Sequence, residues 1–414
     1  MLEDAVIGVQ IKTAITLQCL SFIAIMYVDD TDIMLTTVNE NDSLDDVYAR
    51  ALLAVEVWQE AIRISGGALR PNKCYWTAVD FRWKNGEWYY MNINDFQREV
   101  WVNDTDGIPR LVERKDVNDS KDGLGLHIQP DGSTGLQLEY AINKVKNYTS
   151  KLRYSSISKH HAMISASTSI FRSIIYMLPG SSFTEKDCRT IEKELYTTLL
   201  PKLGVNSKMP LPYRYGTHMF QGLNMLHVHS QMMIEQLKLF LTNAHNDTQI
   251  GIMYRATLES MQLEVGSIHD VFSLPYPSYC ILATQSWLKV LWYCLHKYGI
   301  TVKKQKKPFP LQRENDVSLM DELVNSKLFS HRDLREINNC RLYLQVFYLS
   351  DIVSGDGTKI MHHFANGYRT PARNSIWKWT RQSRPNESSW NLWKMAITNV
   401  WKKDSWTFLP TMSG

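Results

Sequence analysis

The chain has 414 residues, enough for two or three domains with cores of their own, and 44% are hydrophobic against 21% charged, which excludes wholesale disorder. The net charge of +4 is too mild to establish a nucleic-acid partner by itself. Six cysteines, at 19, 74, 188, 280, 294 and 340, form no CxxC pair, which argues against a disulfide scaffold or zinc ribbon and fits a reducing intracellular compartment, cytoplasm or nucleus. Ala5 to Met26 is moderately apolar, but Glu3 and Asp4 stand where a signal peptide carries positive charge. Gln10, Lys12 and Gln18 interrupt the run, so neither a leader nor a membrane span is expected.

Residues 5–18 read as a strand or a short helix. From Ile25 to Leu35, apolar residues flank a knot of carboxylates, and the pattern predicts two short strands joined by a tight acidic turn. Adjacent aspartates at a hairpin tip suit a hard divalent cation, and a pair of such cations can clamp a phosphoryl group in transfer. The plainer alternative is an acidic surface turn.

Leu44, Val47, Ala51, Ala54, Val55, Trp58 and Ile62 then fall on one helical face, with Asp46, Arg50, Glu56, Glu60 and Arg63 opposite. Ser43 with Asp46 predicts a capping box, and Gly66-Gly67 a stop. This helix is expected across the back of the sheet carrying the acidic hairpin. Leu69 to Lys73 forms a turn entering a strand, and Thr77–Phe81 and Trp88–Ile93 flank Asn85-Gly86 as a second hairpin. Strand-like pieces surround Val100 and Leu111, and Leu124–Ile128 reads as a short strand ended by Pro130-Asp131-Gly132.

From residue 136 the period changes to 3.6. Leu138, Ile142, Val145 and Leu152 mark a first helix; Ile164, Phe171, Ile174 and Ile175 mark a second. A third starts at Thr184 and runs to Pro201. Further helices are expected at about 229–244, 250–265, 284–298, 318–328 and 332–348, with Lys303–Pro308 as a basic linker. Past Gly367 the tail is basic and holds Trp377, Trp379, Trp390, Trp393, Trp401 and Trp406.

Tyr27-Val28-Asp29-Asp30 resembles the YxDD signature of reverse transcriptases, and the order of elements around it is similar to the second half of their core. That family follows the hairpin with a helix, a lysine-bearing turn and strand, a short Leu-Gly strand and a helical thumb. The matching stretches are 44–64, Leu69–Lys73, Leu124-Gly125 and the helices from 136. Farther on, Leu200–Gly204, Tyr215-Gly216, Gln221–Leu223 and Cys340–Gln345 resemble the C-terminal region of retrotransposon polymerases.

The resemblance implies an α+β fold: a truncated polymerase palm, antiparallel sheet plus helix, at 1–128. A helical thumb-like module at 129–205 and a helical C-terminal region with a basic, Trp-rich tail at 206–414 would follow. It implies template-directed DNA synthesis from RNA, with Asp29 and Asp30 binding magnesium or manganese and Lys73 assisting the leaving pyrophosphate. Tyr27 and Val28 would lie beneath the primer end and the incoming nucleotide, and Leu124 and Gly125 would brace the primer. The implied partners are an RNA template, a DNA primer and deoxynucleotide triphosphates, with no membrane.

The family also needs an upstream aspartate and fingers, which the 26 residues before Tyr27 do not supply in a matching strand. The sequence therefore reads as a fragment whose missing palm and fingers a partner chain would provide. The alternative is a nucleic-acid-binding remnant without catalysis, gripping template and primer through the lysines and tryptophans of the tail. Trp390 and Trp393, three apart, are expected to pack in a core rather than stack on bases. An RNase H centre lacks its carboxylate set in the helical half. His227-Val228-His229 and His362-His363 lack metal-ligand spacing and read as surface pairs, and no GxSxG elbow appears.

Overall fold

Short strands come first in the chain and helices follow, giving a mixed α+β protein whose strand content is divided among small sheets. The computed structural model describes residues 8–27, 30–38, 41–84, 87–123, 125–302, 316–368, 377–379 and 382–402; for 27, 83, 84, 87, 121 and 122 it describes the backbone alone. Contacts divide the chain into two units: Met1–Ile11, Leu20–Lys84 and Trp88–Leu239 in the first, Lys12–Cys19, Asn85–Glu87 and Phe240–Gly414 in the second.

The stretch 5–18, ambiguous from its pattern, contains strand β1 (Val9–Lys12), which pairs with β2 (Cys19–Phe22). Strands β3 (Ala24–Tyr27) and β4 (Asp30–Ile33) form the expected acidic hairpin. Helix α1 (Leu44–Ile64) begins at Ser43, whose side chain accepts from the Asp46 N–H while Asp46 accepts from the Ser43 N–H. Arg50 fastens the entry to this helix, pairing with Asp42 at 2.9 Å and donating to the Thr36 carbonyl.

The apolar face of α1 is divided between two partners, and only Ala54 is fully buried on it. Ala54 meets Ile23, Ala24, Ile33 and Leu35 of the hairpin, so the helix does back it. Tyr48 and Val55 meet a three-stranded sheet with the order β5 (Tyr75–Trp76), β9 (Pro109–Arg114), β8 (Val100–Asn103), where Val100, Val102 and Val112 are buried. The β5–β9 pairing is parallel, a departure from an all-antiparallel palm that the sequence pattern did not signal. Strands β6 (Phe81–Lys84) and β7 (Glu87–Tyr90) make the Asn-Gly hairpin, shorter than expected, with the turn itself outside the described residues.

Helices α2 (Gly135–Tyr154) and α5 (Glu185–Lys202) pack together. Between them run α3 (Lys159–Ser165), one π turn (Ala166–Ile170) and α4 (Phe171–Met177). The buried face of α2 is rotated from the expected stripe. Gln137, Ala141, Val145, Thr149 and Leu152 are buried, whereas Leu138 and Ile142 are half-buried. The Gln137 amide oxygen accepts from the His127 N–H at 2.6 Å, and this polar tie to β11 (Leu126–Ile128) sets the face.

In the second unit, α7 (Gln249–Val265), α8 (Trp287–Lys297), α9 (Leu319–Ser326) and α10 (His331–Leu344) match the expected helices closely, as does α6 (Val228–Asn243) in the chain before them, whereas α11 (Glu387–Lys402), in the Trp-rich tail, was not among those expected. The segment 12–19 belongs here: Ala14 packs with Leu263, Phe347, Tyr348 and Trp377. Ile15 N, Thr16 N and the Thr16 hydroxyl donate to the Glu259 carboxylate at 2.8, 2.9 and 2.6 Å.

The same unit is built on Arg341. Its Nη2 donates to the carbonyls of Leu263 and Glu264, at 2.6 and 2.8 Å, at the end of α7; Nη1 reaches the Val346 carbonyl and Nε the Asn338 side chain. A cation at a helix C-terminus satisfies carbonyls that have no intrahelical partner and complements the dipole. Gly266, at φ +76°, ends α7, and a Cβ there would lie 2.8 Å from Arg341 Cζ. Glycine thus serves both the left-handed turn and the close approach. Among the described residues, no helix is long and apolar enough to cross a membrane.

Candidate functional site

The β3–β4 register pairs Ala24 with Ile33, Ile25 with Asp32, Met26 with Thr31 and Tyr27 with Asp30. Tyr27 and Asp30 are the last pair of this register, with two residues between them in the sequence. Val28 and Asp29 lie outside the described residues, and of Tyr27 only the backbone is described. Asp30 is exposed at the first position of β4, and Asp32 is half-buried two positions on. Alternation along the strand places both carboxylates on one face.

Two groups that sequence reasoning missed stand near this tip. The Tyr75 phenol is pushed up to about 12, first by burial and then by the Asp30 carboxylate, so it remains a neutral O–H donor at physiological pH. The Lys115 ammonium sits 4.8 Å from the centre of the Tyr75 ring. The Lys115 N–H is bonded to the Trp76 carbonyl, which extends the β5–β9 pairing. No local signal marks either residue, because the parallel pairing joins segments nearly forty positions apart.

Lys73 ends the turn Pro71–Lys73, two residues before Tyr75, and is exposed. Its place follows from Pro71 at the start of that turn, where a fixed φ suits the bend. Lys73 thus precedes the β5–β9 pair and Lys115 follows it, with the Lys115 ammonium reaching back over the Tyr75 ring, and Asp30 acts electrostatically on Tyr75.

Gly125 corrects the sequence reading. Strand β10 (Lys121–Gly123) pairs with β11 so that Gly123 faces Leu126, which leaves Gly125 in a turn rather than a strand. Gly125 has φ +77°, a conformation that tight turns require, and a Cβ there would contact the Tyr176 ring at 3.6 Å. Leu124 lies outside the described residues.

Among the described residues, no three His, Cys, Asp or Glu groups converge as metal ligands. A metal pair takes carboxylates from more than one element. Asp30 and Asp32 come from one strand, so the described residues do not by themselves fit a metal pair.

The other candidates resolve into packing. Trp377, Trp390 and Trp393 are buried. The Trp390 and Trp393 indoles donate to the carbonyls of Pro385 and Phe364. His229 is buried rather than on the surface, and His227 bonds Ser230. An aromatic set with two exposed members, Phe81 and Trp88, does occur on the β6–β7 hairpin, where these rings and the half-buried Tyr90 contact one another edge to face or tilted, at centroid distances of 5.1 to 5.4 Å. Comparison with protein-family models, with curated proteins and with solved structures found no match.

Proposed function

We propose that the chain is the palm, thumb and C-terminal portion of a retroelement reverse transcriptase, which copies an RNA template into DNA from a primer and deoxynucleotide triphosphates. The observation that carries this reading is the hairpin register. Tyr27 stands opposite Asp30 as the last pair of an antiparallel hairpin backed by α1 through Ala54. This is the form that the Tyr-Val-Asp-Asp sequence requires if its carboxylates are to stand at a tip open to substrate. In this reading the hairpin carries the primer end, Asp29 and Asp30 face the reacting phosphates, and Lys73 lies on the side of the leaving pyrophosphate. A neutral Tyr75 would offer a hydrogen bond near Asp30 without adding negative charge. This reading also needs a further palm carboxylate and fingers beyond the described residues.

One observation favours a second reading, binding without copying: the exposed Phe81 and Trp88 rings offer a face on which bases can stack. The buried tryptophans of the tail do not.

Primer extension on an RNA template separates the two. Incorporation by the purified chain that disappears in Asp29→Asn supports the polymerase. No incorporation, with primer–template still bound, supports the non-copying reading. Absence of both incorporation and binding contradicts each of them.

A further inference from the structure

The second unit contains a cleft of about 590 Å3 between the segment 269–279 and the segment 324–334. Its apolar wall is Leu274, Pro275, Phe329 and Leu334, and its polar lining includes His269, Lys327 and His331 with the hydroxyls of Ser273 and Ser278. The volume falls within the range of small-molecule sites, and the lining combines an apolar wall with a few convergent polar groups.

The charge is one-sided. Among the described residues, one lysine and two histidines line the cleft and no aspartate or glutamate does. Asp270, next to His269, accepts from the Phe272 N–H at 2.9 Å. Asp321 accepts from the Tyr279 hydroxyl at 2.9 Å and from Ile268 N at 3.1 Å. Asp333 accepts from the N–H and hydroxyl of Ser330, as the cap of α10. The cleft also opens at the N-terminal turn of that 14-residue helix, where the dipole adds positive potential.

Lys327 adds an independent observation. It ends α9 at φ +56°, with its N–H on the Val324 carbonyl. That left-handed position favours glycine, and a lysine there costs on the order of 1 kcal/mol. The turn itself does not need a lysine, and Lys327 is one of the residues that line the cleft.

We propose that this cleft binds a small organic anion, an aromatic body carrying one phosphate or carboxylate. The ring lies against Leu274, Pro275, Phe329 and Leu334, and the anionic head meets Lys327 with His269 and His331. The site is separate from the acidic hairpin and does not depend on the polymerase reading.

Calorimetric titration of the full chain with phenyl phosphate and with benzoate tests it. Saturable binding of either supports the site, and their relative affinities identify the preferred head group. Lys327→Gly suits the φ of that position, so the thermal midpoint should hold or rise while affinity falls about tenfold. Lys327→Asn, which also tolerates the left-handed region, should behave alike. The proposal is overturned if wild type shows no saturable binding up to about 10 mM. It is equally overturned if either folded variant binds as tightly as wild type, or if benzylamine binds as well as the anions.

Discussion

Replacing Arg341 by Met should lower the stability of the second unit by about 3–5 kcal/mol, the range seen when one partner is removed from a buried charged network. The side chain is fully buried and satisfies three carbonyls, those of Leu263, Glu264 and Val346, together with the Asn338 amide oxygen. Met fills a similar volume but leaves those acceptors without a donor in a dry interior, at roughly 1–3 kcal/mol for each that water cannot reach. Lys should rescue little, because an ammonium cannot reproduce the planar fork. Burial pushes the guanidinium down to about 9, against the pull of Glu264, Asp321 and Asp351, so it is charged at neutral pH. Its folded value lies below the ordinary 12.5, so the folded state releases this proton first as pH rises. The stability referable to this group is therefore constant below about pH 9 and increases only above it. Urea titration monitored by circular dichroism measures the effect. A loss under about 1 kcal/mol would show that Arg341 does not hold the unit together.

Trp393→Ala should cost about 3–5 kcal/mol, the usual range for emptying a large buried aromatic site. The ring is wholly buried, and its indole N–H donates to the Phe364 carbonyl at 3.0 Å. Its helix, α11, packs on α9 and α10, so the cavity would open in the middle of the second unit. Template–primer affinity per folded molecule should not change. A base-stacking tryptophan would give the opposite pattern, reduced affinity at unchanged stability, and that result would return the tail to the nucleic-acid interface.

These two residues show what could be read from the sequence. Trp390 and Trp393 stand one helical turn apart, and that spacing alone favoured the core. The ends of α1 and α5 were equally legible, because Ser43 with Asp46 and Thr184 with Asp187 are capping boxes, a signal contained in four residues. Arg341 was not legible as the centre of anything. It appeared only inside Cys340–Gln345, a stretch noted for resemblance, and an arginine on a helix ordinarily faces water. Its partners Leu263 and Glu264 are nearly eighty positions away, so only the fold reveals that the guanidinium caps α7.

The same limit applies at the candidate site. The acidic hairpin could be read from apolar strands around adjacent aspartates, but the approach of Tyr75 to Asp30 joins segments 45 positions apart. Gly125 was misplaced as strand because Leu-Gly reads as apolar alternation until the Gly123–Leu126 pairing makes it a turn. The Leu138 and Ile142 stripe was rotated for a similar reason. A glutamine that bonds the neighbouring strand occupies the interface, and hydrophobicity alone does not rank it inside.

The most direct test of the palm reading is to locate the primer end on the protein. An RNA template annealed to a DNA primer with a photoreactive 3′-terminal base can be cross-linked to the full chain and the attached peptide identified by mass spectrometry. If the hairpin is a polymerase palm, the cross-link falls within residues 24–33, with any secondary site near Lys73. Attachment confined to the β6–β7 aromatics or to the tail, with none on the hairpin, would contradict it.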